Sequence, residues 1–155
     1  MIVQNIYKQY KRKLAVCGLN FVVRKKECFG LLGVNGAGKT TTFEMIAANQ
    51  TITKGTIKID GVDILLNEPE YRYRFGYCPQ NDCLNEFMTS YQTLRYMALL
   101  RGIQTKHIHD EVMYWLEKLD LIKYENIQVK HYSGGTKRKL QTAAAMVCYL
   151  FKVLF

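Results

Sequence analysis

The stretch from Cys28 to Phe43, C-F-G-L-L-G-V-N-G-A-G-K-T-T-T-F, constrains this chain more than any other. An apolar run (Phe29, Leu31, Leu32) leads into Gly33-Val34-Asn35-Gly36-Ala37-Gly38-Lys39-Thr40, and a helix-compatible segment follows. The spacing predicts a strand, a G-x-x-x-x-G-K-[ST] turn and a helix, the arrangement of a phosphate-binding loop. A polyphosphate carries several negative charges, and a glycine-rich turn lets successive backbone N–H groups point inward at its oxygens. Gly36 and Gly38 permit that approach. The helix starting near Lys39 adds the positive end of its dipole, Lys39 brings a full charge within reach of β and γ phosphates, and the Thr40 hydroxyl is placed to ligand Mg²⁺.

A length of 155 residues, with 48% apolar and 23% charged residues, is that of one globular domain with a sizeable core. The formal charge of +9 comes partly from clusters at Lys11-Arg12-Lys13, Arg24-Lys25-Lys26 and Lys137-Arg138-Lys139. Nucleotides, anionic membranes and nucleic acids all suit such a balance, so charge alone does not choose among them. Cys17, Cys28, Cys78, Cys83 and Cys148 form no C-x-x-C pair and follow no secretory signal. A reduced compartment is expected, with no metal site at Cys78 and Cys83. The longest apolar run, Ala143 to Phe151, falls short of the ~18–20 residues of a membrane-spanning helix. Any membrane contact is therefore expected from another part of a larger protein or from a partner subunit.

Ile2 to Ile6, Leu14 to Val16 and Leu19 to Val23 read as antiparallel strands, Thr40 to Ala48 as helix, and Thr56 to Ile59 as an edge strand before an Asp60-Gly61 turn. Phe75 to Cys78 reads as another short strand. From Thr89 the period lengthens: Thr89-Ser90-Tyr91-Gln92 has the form of a capping box opening a helix that ends near Gly102. Val112, Trp115, Leu116 and Leu119 mark the buried stripe of a second helix, with Trp115 as core. A third helix is predicted over about Gly135 to Cys148, and Lys152 to Phe155 reads as the first half of a buried strand. The expected fold is α/β: a nucleotide-binding core over about 1–88 and 149–155, beginning with an antiparallel β subdomain, and an all-helical subdomain over about 89–148.

Two further stretches narrow the reading. Tyr77-Cys78-Pro79-Gln80-Asn81-Asp82 puts a glutamine just after a strand, and Tyr132-Ser133-Gly134-Gly135-Thr136-Lys137-Arg138-Lys139-Leu140 puts a Ser-Gly-Gly turn at a helix start, a second anion-ready helix end. Phosphate loop, glutamine loop, helical insert and Ser-Gly-Gly, in that order from about Ile2 to Leu140, resemble the nucleotide-binding domain of ATP-binding cassette (ABC) transporters, a P-loop NTPase. The Tyr-Cys-Pro-Gln and Tyr-Ser-Gly-Gly sequences look most like the A subfamily, whose members mostly move lipids.

The resemblance implies ATP and Mg²⁺ as cofactors. It implies that Tyr10 stacks on adenine and that Gly33, Asn35, Gly36, Ala37, Gly38, Lys39, Thr40 and Thr41 hold the phosphates. Lys39 and Gln80 would be the catalytic groups, with Thr40 and Gln80 at Mg²⁺. Ser133, Gly134 and Gly135 would contact ATP on the phosphate loop of a second such domain, in a head-to-tail sandwich. Transmembrane domains of the same or a partner chain would complete the transporter, placing this domain at the cytoplasmic face of a membrane; no nucleic-acid partner is expected. A soluble ABC-type ATPase acting on nucleic acid or ribosomes is the alternative.

Thr136, where Gln or Asn is usual, and Gln141, where Ser is common, depart from the pattern, and Cys148 to Phe151 lacks the usual helix-breaking Pro or Asp. The family's Mg²⁺-organising aspartate and adjacent glutamate would follow the strand begun at Lys152, beyond Phe155. The 155-residue chain is accordingly expected to bind ATP without hydrolysing it at a useful rate.

Overall fold

The computed structural model describes residues 1–147 and 152–154, the last three by their backbone. The chain forms two compact units, Met1–Arg74 and Phe75–Phe155.

In the first unit the run from Ile2 extends into β1 (Ile2–Tyr10) and the two runs after it fuse into β2 (Lys13–Val22), paired antiparallel with β1. Fusion is possible because irregularities absorb the breaks in pattern. Asn5 in β1 and Gly18 in β2 take left-handed φ values of +49° and +63°. The register shifts between Val3 and Ile6, so that buried positions run Val3, Ile6, Lys8, three apart and then two. Strand β3 (Lys54–Ile59) lies on the other side of β1, and β4 (Val62–Asp63) pairs with it, giving the order β2-β1-β3-β4. β3 is thus internal, not the edge strand its alternation suggested. Asp60 and Gly61, with φ of +47° and +86°, make the turn whose two left-handed residues match the twist of a hairpin. Val3, Ile6, Ile57 and Ile59 are fully or almost fully buried on the inner face.

Helix α1 (Lys39–Ile46) falls within one residue of its predicted start. A six-residue helix, α2 (Glu68–Tyr73), is too short to show a period and escaped sequence reading. Local chemistry makes it: the Asn67 side chain accepts from the Glu70 N–H at 3.2 Å, a proline occupies the first turn, and Arg72 pairs with Glu68 one turn back. Tyr71, fully buried, donates its hydroxyl to the Ile46 carbonyl at 2.7 Å, joining α2 to the end of α1. Burial, and then the Asp63 carboxylate, push that phenol well above its ordinary range.

The strand expected at Phe29 to Leu32 is not formed. Phe29 stacks on Phe21 with ring centroids 4.8 Å apart, but Leu32 is 92% exposed. An apolar run becomes a strand only where a neighbour takes up its N–H and C=O groups, and no described strand pairs with this segment.

The second unit holds β5 (Phe75–Tyr77) in parallel with β6 (Lys152–Leu154), helices α3 (Ser90–Leu100), α4 (Thr105–Lys118) and α5 (Gly134–Met146), and single 3₁₀ turns at Ile122–Tyr124 and Val129–His131. The capping box forms as read: Thr89 Oγ1 accepts from Gln92 N–H, and Gln92 Oε1 accepts from Thr89 N–H. Leu94, Ala98, Val112, Leu116, Leu140 and Ala143 pack into one core shared by the three helices. Trp115 is half-buried against it, with its ring N–H on Glu111 at 2.8 Å. The expected helix-to-strand junction at Cys148 to Phe151 lies outside the described residues. Among the described residues, no helix is long and apolar enough to cross a membrane.

Candidate functional site

Within the first unit, the predicted phosphate loop is a tight turn closed by the Ala37 N–H on the Val34 carbonyl at 3.2 Å. Gly36 and Gly38 stand at φ +85° and +87°, where an L side chain is strained. Gly38 is also the residue before α1, and no side chain caps that helix. The amides of Lys39, Thr40 and Thr41 therefore have no acceptor within the helix. Together with the dipole they form an electropositive helix end beside Asn35 and Ala37, both exposed.

A Cβ on Gly38 would lie 2.5 Å from the Ala15 carbonyl oxygen in β2, so only glycine lets the loop settle on the sheet here. Lys39 Nζ folds back onto the carbonyls of Gly33 and Val34, at 2.6 and 2.9 Å. Neutral carbonyls are weaker partners for an ammonium than phosphate oxygens are, so the lysine is tethered near the loop yet exchangeable. Thr40 is exposed, whereas the neighbouring Thr42 is buried and spends its hydroxyl on the Gly38 carbonyl. Glycines at left-handed φ, bare first-turn amides and a flexible cation fit a polyphosphate.

Tyr10 ends β1 in the same unit, paired across the hairpin with Lys13 and 42% exposed. β2 links it to the loop: Val16, against which Gly38 rests, pairs with Lys8, two residues before Tyr10.

The second unit holds the other predicted residues. Gln80 is exposed in the loop after β5. Ser133 precedes α5 and its hydroxyl accepts from the Thr136 N–H at 3.2 Å, while Gly134 and Gly135 form the exposed first turn, with open space around each α-carbon. The serine caps one amide, and those of the two glycines have no acceptor within the helix.

Sequence reading missed what binds these two motifs together. Arg138 donates to the Pro79 carbonyl and, at 3.2 Å, to Gln141 Oε1; Gln141 in turn donates to the Asn81 carbonyl at 3.0 Å. The backbone on both sides of Gln80 is thus gripped by α5. Lys137 adds ion pairs to Asp82 at 3.1 Å and Glu86 at 2.9 Å. The Leu84 N–H, and then Lys137, hold the Asp82 carboxyl below its ordinary range. Burial pushes the Cys78 thiol up, against the pull of Arg138 and Thr142, so it is kept protonated and unreactive. The departure at Gln141 was the available signal.

Arg138→Ala and Gln141→Ala are each expected to raise amide hydrogen exchange in residues 79–83 by about tenfold, from loss of roughly 1.4 kcal/mol of hydrogen bonding, while β1 to β3 stay unchanged. Exchange read by mass spectrometry checks this, and unaltered protection at 79–83 would remove the grip from the account.

A model of the ABC transporter family matches residues 16–153. The chain is 43% identical over 152 residues to "ATP-binding cassette sub-family A member 2" of Homo sapiens, covering 95% of this chain and 6% of that protein. It is 46% identical over 142 residues to "Phospholipid-transporting ATPase ABCA3" of Mus musculus, covering 92% and 8%. The chain therefore spans less than a tenth of the length of these curated relatives. Among solved structures, one described as "Structure of ATP binding subunit of ABC transporter" superposes with a TM-score of 0.84 at 28% identity, covering 93% of this chain and 60% of that one. The "Dimeric Structure of MJ0796, a Bacterial ABC Transporter Cassette" superposes with a TM-score of 0.82 at 19% identity, covering 94% and 68%, a likeness of fold.

Proposed function

The chain belongs to the ABC transporter family, and on that premise we propose that it is the ATP-binding portion of a lipid-moving transporter, working at the cytoplasmic face of a membrane through its parent protein. The observation that carries the nucleotide reading is the loop from Gly33 to Thr41, with two glycines at left-handed φ, uncapped helix amides and a lysine resting on exchangeable carbonyls. The lipid reading rests on relatives named as phospholipid-transporting ATPases.

In this reading the amides of Gly36 to Thr41 surround the phosphates, with Asn35 and Ala37 lining the turn, and Lys39 leaves Gly33 and Val34 for the β and γ oxygens. The Thr40 hydroxyl and the Gln80 amide are the groups that would hold Mg²⁺, which when bound would neutralise phosphate charge. Tyr10 offers its ring to the adenine. Ser133, Gly134 and Gly135 present two outward amides and a hydroxyl to ATP held on a second copy of such a domain. The working unit is then a head-to-tail pair, docked on transmembrane domains, with 1–88 and 149–155 as core and 89–148 as helical subdomain.

Binding and turnover separate in this chain. Neither α5 nor the residues of β6 include an Asp or Glu to organise Mg²⁺ or polarise a water. The chain is expected to bind MgATP and release phosphate no faster than its Lys39→Ala variant. Calorimetric titration together with a phosphate-release assay checks both halves. Failure to bind would end the nucleotide reading, and ordinary turnover would show that another group does the carboxylate's work.

A further inference from the structure

Lys8 is the least expected buried residue of the first unit, a lysine only 6% exposed on the inner face of a sheet. Lysine is almost never buried without a partner. Its Nζ donates to the Thr51 carbonyl at 2.6 Å and to Thr51 Oγ1 at 3.0 Å, using two of its three donors. Nothing in the phosphate loop uses it. Its charge instead lies 5.0 Å from the centroid of the Tyr10 ring. Two residues apart on β1, the side chains share a face, and the Thr51 anchor fixes the height of the cation beneath the ring.

We propose that Lys8 is a positioning residue for base recognition: its ammonium holds Tyr10 by one face and leaves the other as a fixed platform for the adenine of ATP. The proposal rests on the nucleotide reading given above. Two physical effects follow from the stack. A cation on one face of a tyrosine attracts the ring quadrupole, which restrains the ring before any base arrives and lowers the entropy lost on stacking. It also draws π density toward itself, easing repulsion between the ring and a base on the far side. Neither effect reaches the phosphates, which the loop holds through amides and Lys39.

The test compares ATP with inorganic tripolyphosphate, the same charge without a base, on the full 155-residue chain by isothermal titration. Lys8→Met is expected to weaken ATP by about three- to tenfold and leave tripolyphosphate unchanged. Lys8→Arg, which keeps a cation beneath the ring, restores most of the ATP affinity. In a Tyr10→Ala background, Lys8→Met adds no further loss. Should Lys8→Met prove insoluble, Thr51→Val removes one anchor from outside the sheet and should give a smaller loss for ATP alone. Equal weakening of both ligands, or no loss for ATP, overturns the role assigned to Lys8 while leaving the phosphate loop intact. Binding of neither ligand to the unaltered chain overturns the nucleotide reading, and this inference with it.

Discussion

Replacing Lys39 with alanine is expected to weaken ATP by about a hundredfold, roughly 3 kcal/mol, and to weaken tripolyphosphate as much. The lysine is the only cation within the loop from Gly33 to Thr41, and the amides that remain carry partial charges alone. Its two present partners are carbonyls of its own loop, at Gly33 and Val34, so losing it leaves no buried charge unpaired. Stability should therefore hardly change, and a normal thermal melt beside lost binding is the signature to seek. Calorimetric titration reads the affinity; a variant that binds as well as the unaltered chain would take the site away.

Gly38→Ala should act in the opposite way, through the fold. An L residue at φ +87° carries about 1–2 kcal/mol of strain, and the new Cβ would sit 2.5 Å from the Ala15 carbonyl oxygen, a backbone atom that cannot swing aside. The sum is about 3 kcal/mol or more, with α1 pushed off β2. Gly36→Ala makes the control: its φ of +85° imposes the same strain, but nothing lies within 4 Å of the added carbon, so about 1–2 kcal/mol is the whole effect. The single tryptophan, at position 115, reports on the other unit and would miss the change. Amide exchange in residues 13–22 and 39–46 is the proper probe. Equal protection in the two variants would mean that the contact with Ala15 does not hold the loop in place.

The parts of this molecule that show in the sequence are those written in nearest neighbours. The capping box at Thr89 and the hairpin turn at Asp60-Gly61 each need only residues a turn or less apart, and each formed as read. What failed depended on distant partners. Phe29 to Leu32 has the composition of a strand but no neighbour among the described strands to pair with. β3 is internal because β4, two residues long and invisible to any period, follows it. The break in pattern at Gly18 hides the continuity of β2, since an irregularity is seen only against its partner strand. The same holds at the site. Lys39 and the glycines announce themselves, whereas Lys8 and Arg138 act on groups 43 and 59 residues away along the chain and carry no local mark, and Gln141, 60 residues from its partner, shows only as a departure from the family's pattern.

Arg138 and Gln141 take hold of main-chain oxygens, leaving the Gln80 side chain out of the linkage. The glutamine can accordingly be exchanged for another residue without unfastening the segment that carries it. It sits as a replaceable tip on a segment clamped by its main chain to the Ser-Gly-Gly helix.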